Sequence, residues 1–156
     1  MKPEGYSEAL ALTKRAPFVF LSTLADGGFP ETRVLFNLLQ RRADALSSGP
    51  ARPRSDFATY LGTNTGSRKV AQMRSDPRVC LYYADEDRYE GCMVRGRVVE
   101  VEDRSTRVAV WTPEWDMYYQ GGLDGGDFSL IAFDPEFVRY YHELRVLSFD
   151  PRAVDA

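Results

Sequence analysis

The chain has 156 residues, with 20 basic and 23 acidic side chains, a formal net charge of −3 and 44% apolar residues. That length and composition fit one domain, expected over residues 1–156, with enough core to fold without a disulfide or metal staple. The mild acidity argues against nucleic acid as the main partner, and no apolar run reaches the length of a membrane span. The lone histidine, His142, excludes metal sites built on several histidines, and its surroundings do not resemble a Ser-His-Asp triad.

Cys80 and Cys92 lie in apolar, strand-like runs and read as reduced core residues. With no signal or transit peptide at the N-terminus, the expected location is the cytoplasm. Arginine outnumbers lysine 17 to 3, a bias that commonly follows genome composition. Any lysine inside a motif therefore stands out.

In chain order, residues 7–15 form a short amphipathic helix, with Ser7 as its cap and Pro17 as its stop. Phe18–Leu24 and Thr32–Leu38 form a hairpin around the turn signal Asp26-Gly27-Gly28. Residues 40–54 hold Gly, two Pro and four Arg and read as a long exposed loop. Phe57–Leu61 is a strand, 62–66 a turn, and Ser67 caps a helix running to about Arg74, which Pro77 follows.

Val79–Tyr83 and Gly91–Val101 are strands joined by the polar connection Asp85-Glu86-Asp87-Arg88. Met93, Arg95, Arg97 and Val99 share one face of the second strand; Cys92, Val94, Gly96 and Val98 share the other. Residues 104–119 are helical by the spacing of Val108, Trp111, Trp115 and Tyr118, with a kink or a restart expected at Pro113. A glycine-rich loop follows, then strand Phe128–Phe133, a turn at Asp134-Pro135, and one or two strands over Phe137–Phe149. The tally is mostly β: short, antiparallel strands with short flanking helices, as in a small barrel.

One segment carries chemistry. Thr63-Asn64-Thr65-Gly66-Ser67-Arg68-Lys69 joins a strand to a helix. A helix start offers unpaired N–H groups and partial positive charge, which suits an anion. Arg68 can hold phosphate with two parallel bonds, and Lys69 adds a compact charge. Neither the P-loop spacing nor G-x-G-x-x-G is present. Local chemistry alone leaves two readings open, a phosphate site or a capped surface helix with two solvated cations.

Three blocks resemble the pyridoxamine 5′-phosphate oxidase-like family of FMN-binding split barrels. They are the hairpin over 20–35, the run from Tyr60 through GTNTGSRKVAQMRSDPRV to Tyr83, and Met93-Val94-Arg95-Gly96-Arg97-Val98. Beyond residue 102 the chain looks more like the short general stress protein branch, with Tyr118-Tyr119-Gln120-Gly121-Gly122 and Pro135-Glu136 at the matching places.

The resemblance implies a six- or seven-stranded antiparallel split β-barrel that binds FMN at the interface of a homodimer. Arg33, Ser67, Arg68 and Lys69 would hold the phosphate; Thr63 and Asn64 would line the ribityl chain. The backbone of Val34 and Leu35 would face the ring, and Asn37 would add a polar contact, as short-branch members carry asparagine there. Trp111 and Tyr118 have two readings, core packing or a cover over the flavin from the second subunit.

The implied activity is electron transfer with a small-molecule substrate or donor. The alternative is a non-catalytic module for FMN, heme or deazaflavin in a stress response. Leu38 stands where the oxidase carries a lysine, Gly91 where it carries a glutamine, and its C-terminal arginine-and-histidine segment is missing. Oxidation of pyridoxamine phosphate itself is therefore not expected. No catalytic side chain and no metal ligand is assigned.

Overall fold

The fold is described from a computed structural model over residues 1–154. Helix α1 (Tyr6–Arg15) leads into strands β1 (Phe18–Leu24) and β2 (Pro30–Phe36). Two short helices follow, α2 (Leu38–Arg41) and α3 (Ala43–Ser47), then β3 (Thr59–Asn64), α4 (Arg68–Ser75), β4 (Arg78–Asp85) and β5 (Glu90–Glu100). Helix α5 (Arg104–Val110) precedes the long β6 (Phe128–His142) and the short β7 (Arg145–Phe149). No helix among the described residues is long and apolar enough to cross a membrane.

The strands form one antiparallel sheet of seven in the order β2-β1-β4-β5-β6-β3, with β7 on the far half of β6. The sheet curls until β2 and β3 approach one another, yet no ladder joins them. This is a split barrel. Its interior is filled by side chains such as Leu21, Leu61, Leu81, Val94, Ile131 and Val138. The alternation expected in β5 is present, with Cys92, Val94 and Gly96 buried and Arg95, Arg97 and Val99 exposed.

Four expectations change. The Asp134-Pro135 turn does not exist, because β6 runs straight through it. β6 pairs with β3 only up to Phe133 and with β7 only from Val138. Pro135 therefore falls where one edge of β6 is free, and its missing N–H breaks no ladder there.

Residues 40–54 are not a loop but α2, α3 and a 3₁₀ turn over Gly49–Ala51. Leu46 and Ala51 are buried in a second cluster with Leu38, Val110, Trp115, Tyr119, Phe128 and Leu130. Arg42 donates to the carbonyls of Val110 at 3.0 Å and Ala109 at 3.4 Å, closing the end of α5.

The turn expected from Gly62 begins only after Asn64, because Gly62–Asn64 stay paired with Leu130–Phe128. At the N-terminus, Gly5 rather than Ser7 occupies the cap of α1, in the left-handed region at φ 79°. Arg15 near the other end of α1 and Tyr140 on β6 both donate to the buried carboxylate of Glu90, which ties the helix to the barrel.

Candidate functional site

The gap between β2 and β3 is a cleft of about 340 Å³, within the range of small-molecule sites. Val34, Leu35 and Phe36 line it from β2, and Gly62, Thr63 and Asn64 from β3. Because β2 pairs only with β1, its outer backbone groups face this gap without a strand partner. Trp115, Tyr118 and Tyr119 close one side and Lys69 enters as a cation. Tyr118 meets Phe36 edge-on at 5.9 Å, and the Arg41 guanidinium lies 4.0 Å from the Phe36 ring centre.

Three cations gather at the start of α4. Arg33 is half-buried and donates to Thr23 Oγ1 at 2.7 Å, to the Glu31 carbonyl at 2.8 Å and to Gln72 Oε1 at 3.3 Å. Arg68 is exposed and paired with the Glu31 carboxylate. Lys69 has no ion-pair partner among the described residues, and burial together with the nearby Arg33 charge lowers its pKa below the ordinary 10.5.

Ser67 occupies the cap position of α4 in extended backbone, but its hydroxyl makes no cap bond. Its Oγ is buried and has no partner among the described residues. An unpaired buried hydroxyl beside a cluster of cations and free helix N–H groups is a place for an incoming oxyanion.

Of the residues assigned to the cofactor, the cleft itself is lined by Val34, Leu35, Thr63, Asn64, Lys69 and Tyr118. Arg33, Ser67 and Arg68 form the cradle around the start of α4. Asn37 and Trp111 sit elsewhere. Asn37 is buried behind the cleft, donating to the Thr13 and Ala16 carbonyls at 2.7 Å each and accepting from Leu39 N at 3.1 Å. Trp111 packs at 5.1 Å against Phe128 and at 5.8 Å against Trp115, in the second cluster.

Trp115, Tyr119, Phe36 and Phe18 also line the cleft, and none was assigned there from sequence. Helix α5 stops at Trp111, whose ψ is 144°, and Pro113 opens a separate 3₁₀ turn over Pro113–Met117. The break shifts the helical phase, so Trp115 rather than Trp111 faces the gap. Glu31 and Gln72 were missed as well. Glu31 shares a strand face with Arg33 by simple alternation, which is the signal that could have found it.

A family model described as pyridoxamine 5′-phosphate oxidase matches residues 7–142. The chain belongs to this family. Among curated proteins none matches it. Solved structures do. A protein from Clostridium acetobutylicum, related to general stress protein 26 of B. subtilis, superposes with TM-score 0.76 at 23% identity, covering 99% of each chain. A pyridoxamine 5′-phosphate oxidase-related, FMN-binding protein from Nostoc punctiforme gives TM-score 0.61 at 16% identity, over 96% of this chain and 98% of that one. A heme-binding protein from Mycobacterium smegmatis gives 0.70 at 17% identity, over 98% of this chain and 60% of that one. At these identities the likeness establishes the pyridoxamine 5′-phosphate oxidase-like fold.

Proposed function

We propose that this chain is an FMN-binding flavoprotein, a cytoplasmic homodimer that passes electrons between a small-molecule donor and a small-molecule substrate. The observation that carries this reading is the Ser67 hydroxyl, buried and unpartnered at the start of α4. Leaving such a group unsatisfied costs about 1–3 kcal/mol, and a phosphate oxygen would relieve it. The FMN-binding relative of the same fold supports the choice of ligand.

The residues present fit a phosphate monoester with a flat aromatic group. Arg33, Ser67, Arg68 and Lys69 would hold the phosphate. Thr63 and Asn64 would flank the ribityl chain. The unpaired edge of β2 at Val34 and Leu35 would offer backbone groups to the ring, and Trp115 and Tyr118 would shield it. Bound FMN would supply the hydride and electron chemistry; the chain supplies position, charge and exclusion of water. Leu38 is buried at the place of the oxidase lysine, so pyridoxamine phosphate is not the proposed substrate.

Support for the homodimer comes from the outer sheet face. Phe20 stands opposite Val34 on β2 and Tyr82 on β4, and all three are exposed, Val34 at 52%. With Phe18 beside them, they form an apolar patch continuous with the cleft. The free thiols of Cys80 and Cys92 suit a reducing compartment.

A heme or deazaflavin module without turnover is the competing reading. For heme the residues lining the cleft include no histidine or cysteine, which leaves Tyr118 and Tyr119 as the side chains there that could ligate iron. The absorbance spectrum of purified protein, with mass analysis of the released ligand, tests the proposal. A flavin spectrum bleached by a nicotinamide donor is expected. A flavin that binds but resists reduction favours the module. Colourless protein that takes up no added FMN contradicts the reading.

A further inference from the structure

We propose that Glu31 is a resident anion of the phosphate cradle, occupying Arg68 in the free protein and weakening the site for any phosphate monoester that enters. The inference rests on reading the start of α4 as a phosphate site. Glu31 precedes Arg33 by two residues on β2 and so lies on the same strand face. Both of its carboxylate oxygens accept from Arg68 Nη2, and Oε1 also accepts from Gln72 Nε2 at 2.7 Å. Gln72 in turn accepts through Oε1 from Arg33 Nη2 at 3.3 Å and from Thr23 Oγ1. Both arginines of the cradle are therefore tied, directly or through Gln72, to a carboxylate borne by the chain itself. Ser67 Oγ and Lys69 are left without partners among the described residues.

A surface ion pair of this kind contributes little to stability, and Arg68 is 77% exposed in its side chain. Its consequence is for ligand charge. A phosphate dianion bound to Arg68 would lie within two hydrogen-bond lengths of the Glu31 carboxylate, about 6 Å. Like charges at that separation, even in a watery dielectric, weaken binding by roughly tenfold. Entry of a phosphate would also displace Glu31 from Arg68. Glu31 thereby lowers the affinity of the site, and the penalty grows with the negative charge of the ligand.

Glu31→Gln removes the charge while keeping the size and an oxygen for Gln72. Dissociation constants for FMN and riboflavin are measured by flavin fluorescence, and the Tm response to inorganic phosphate is measured at constant ionic strength. The expected result is about tenfold tighter FMN binding, unchanged riboflavin binding and a larger phosphate-induced rise in Tm. Glu31→Ala should shift FMN binding the same way, which guards against an effect peculiar to glutamine. If wild type binds FMN and both variants bind it equally or more weakly, Glu31 positions Arg68 and the proposal is overturned. If FMN binds neither protein but phosphate stabilises Glu31→Gln more than wild type, the cofactor reading falls and the resident anion stands. If neither ligand acts on either protein, both fall.

Discussion

Asn37 ties the end of α1 to the start of α2 through one amide. Its Nδ2 serves two carbonyls at the end of α1, and its Oδ1 caps α2, all within the buried frame behind the cleft. Asn37→Ala strands those groups, and at about 1 kcal/mol each the expected loss is roughly 2–3 kcal/mol in denaturant unfolding. The residue type was legible as important; its direction was not, because an asparagine in a strand-to-helix junction serves a ligand or a cap equally well. Lys69 differs. Its ammonium is destabilised by burial and by Arg33, so its pKa lies below 10.5. Anion binding needs the protonated form. Affinity for a phosphate ligand should therefore fall as pH rises through that lowered value, beginning below 10.5, and Lys69→Arg should flatten the profile. In the free protein the same shift costs stability below the lowered value, and the cost fades as pH climbs toward the ordinary one. A titration of Kd against pH checks the first statement.

At the scale of elements, Gly96 of β5 has a backbone reason. A Cβ on Gly96 would lie 2.0 Å from the Asp134 carbonyl oxygen, at the register shift between Arg95 and Gly96 where β5 meets Pro135. Gly96→Ala should cost about 1–3 kcal/mol or more, since the obstacle is backbone that cannot rotate away; a thermal melt checks it. The strand itself was readable from alternation, and so was the break at Pro113. The short helices over 38–47 were not, because helices of four and five residues have no intrinsic stability. They exist because Leu38, Leu46 and Ala51 are buried against Val110 and Phe128, contacts between distant segments that no local pattern encodes. The consequence of the Pro113 break, that Trp115 faces the cleft, depends on helical phase beyond a point where phase is lost.

For the whole molecule, short strands and tight turns announced an antiparallel barrel, and three motif blocks pointed to the family. The open seam between β2 and β3 was not visible in either strand, since it arises from how far the sheet curls before its ends meet. That seam makes the site, because it leaves an edge of backbone and an aromatic wall facing one gap beside the cations of α4. The exposed apolar face next to it should close in a dimer. Light scattering should find two chains per particle, and Phe20→Glu, which places a charge in that face but outside the cleft, should shift the protein to monomer. A monomeric wild type would contradict the dimer.

We propose above all that the start of α4 binds the phosphate of a flavin nucleotide. Calorimetric titration of FMN and of riboflavin into wild type and Lys69→Gln tests it most directly. A charge-assisted bond is worth about 1.5–3 kcal/mol, so wild type should bind FMN far more tightly than riboflavin. Lys69→Gln should weaken FMN by roughly ten- to hundredfold while leaving riboflavin unchanged. Equal affinity of wild type for FMN and riboflavin, or no binding of either, would contradict a phosphate site at the start of α4.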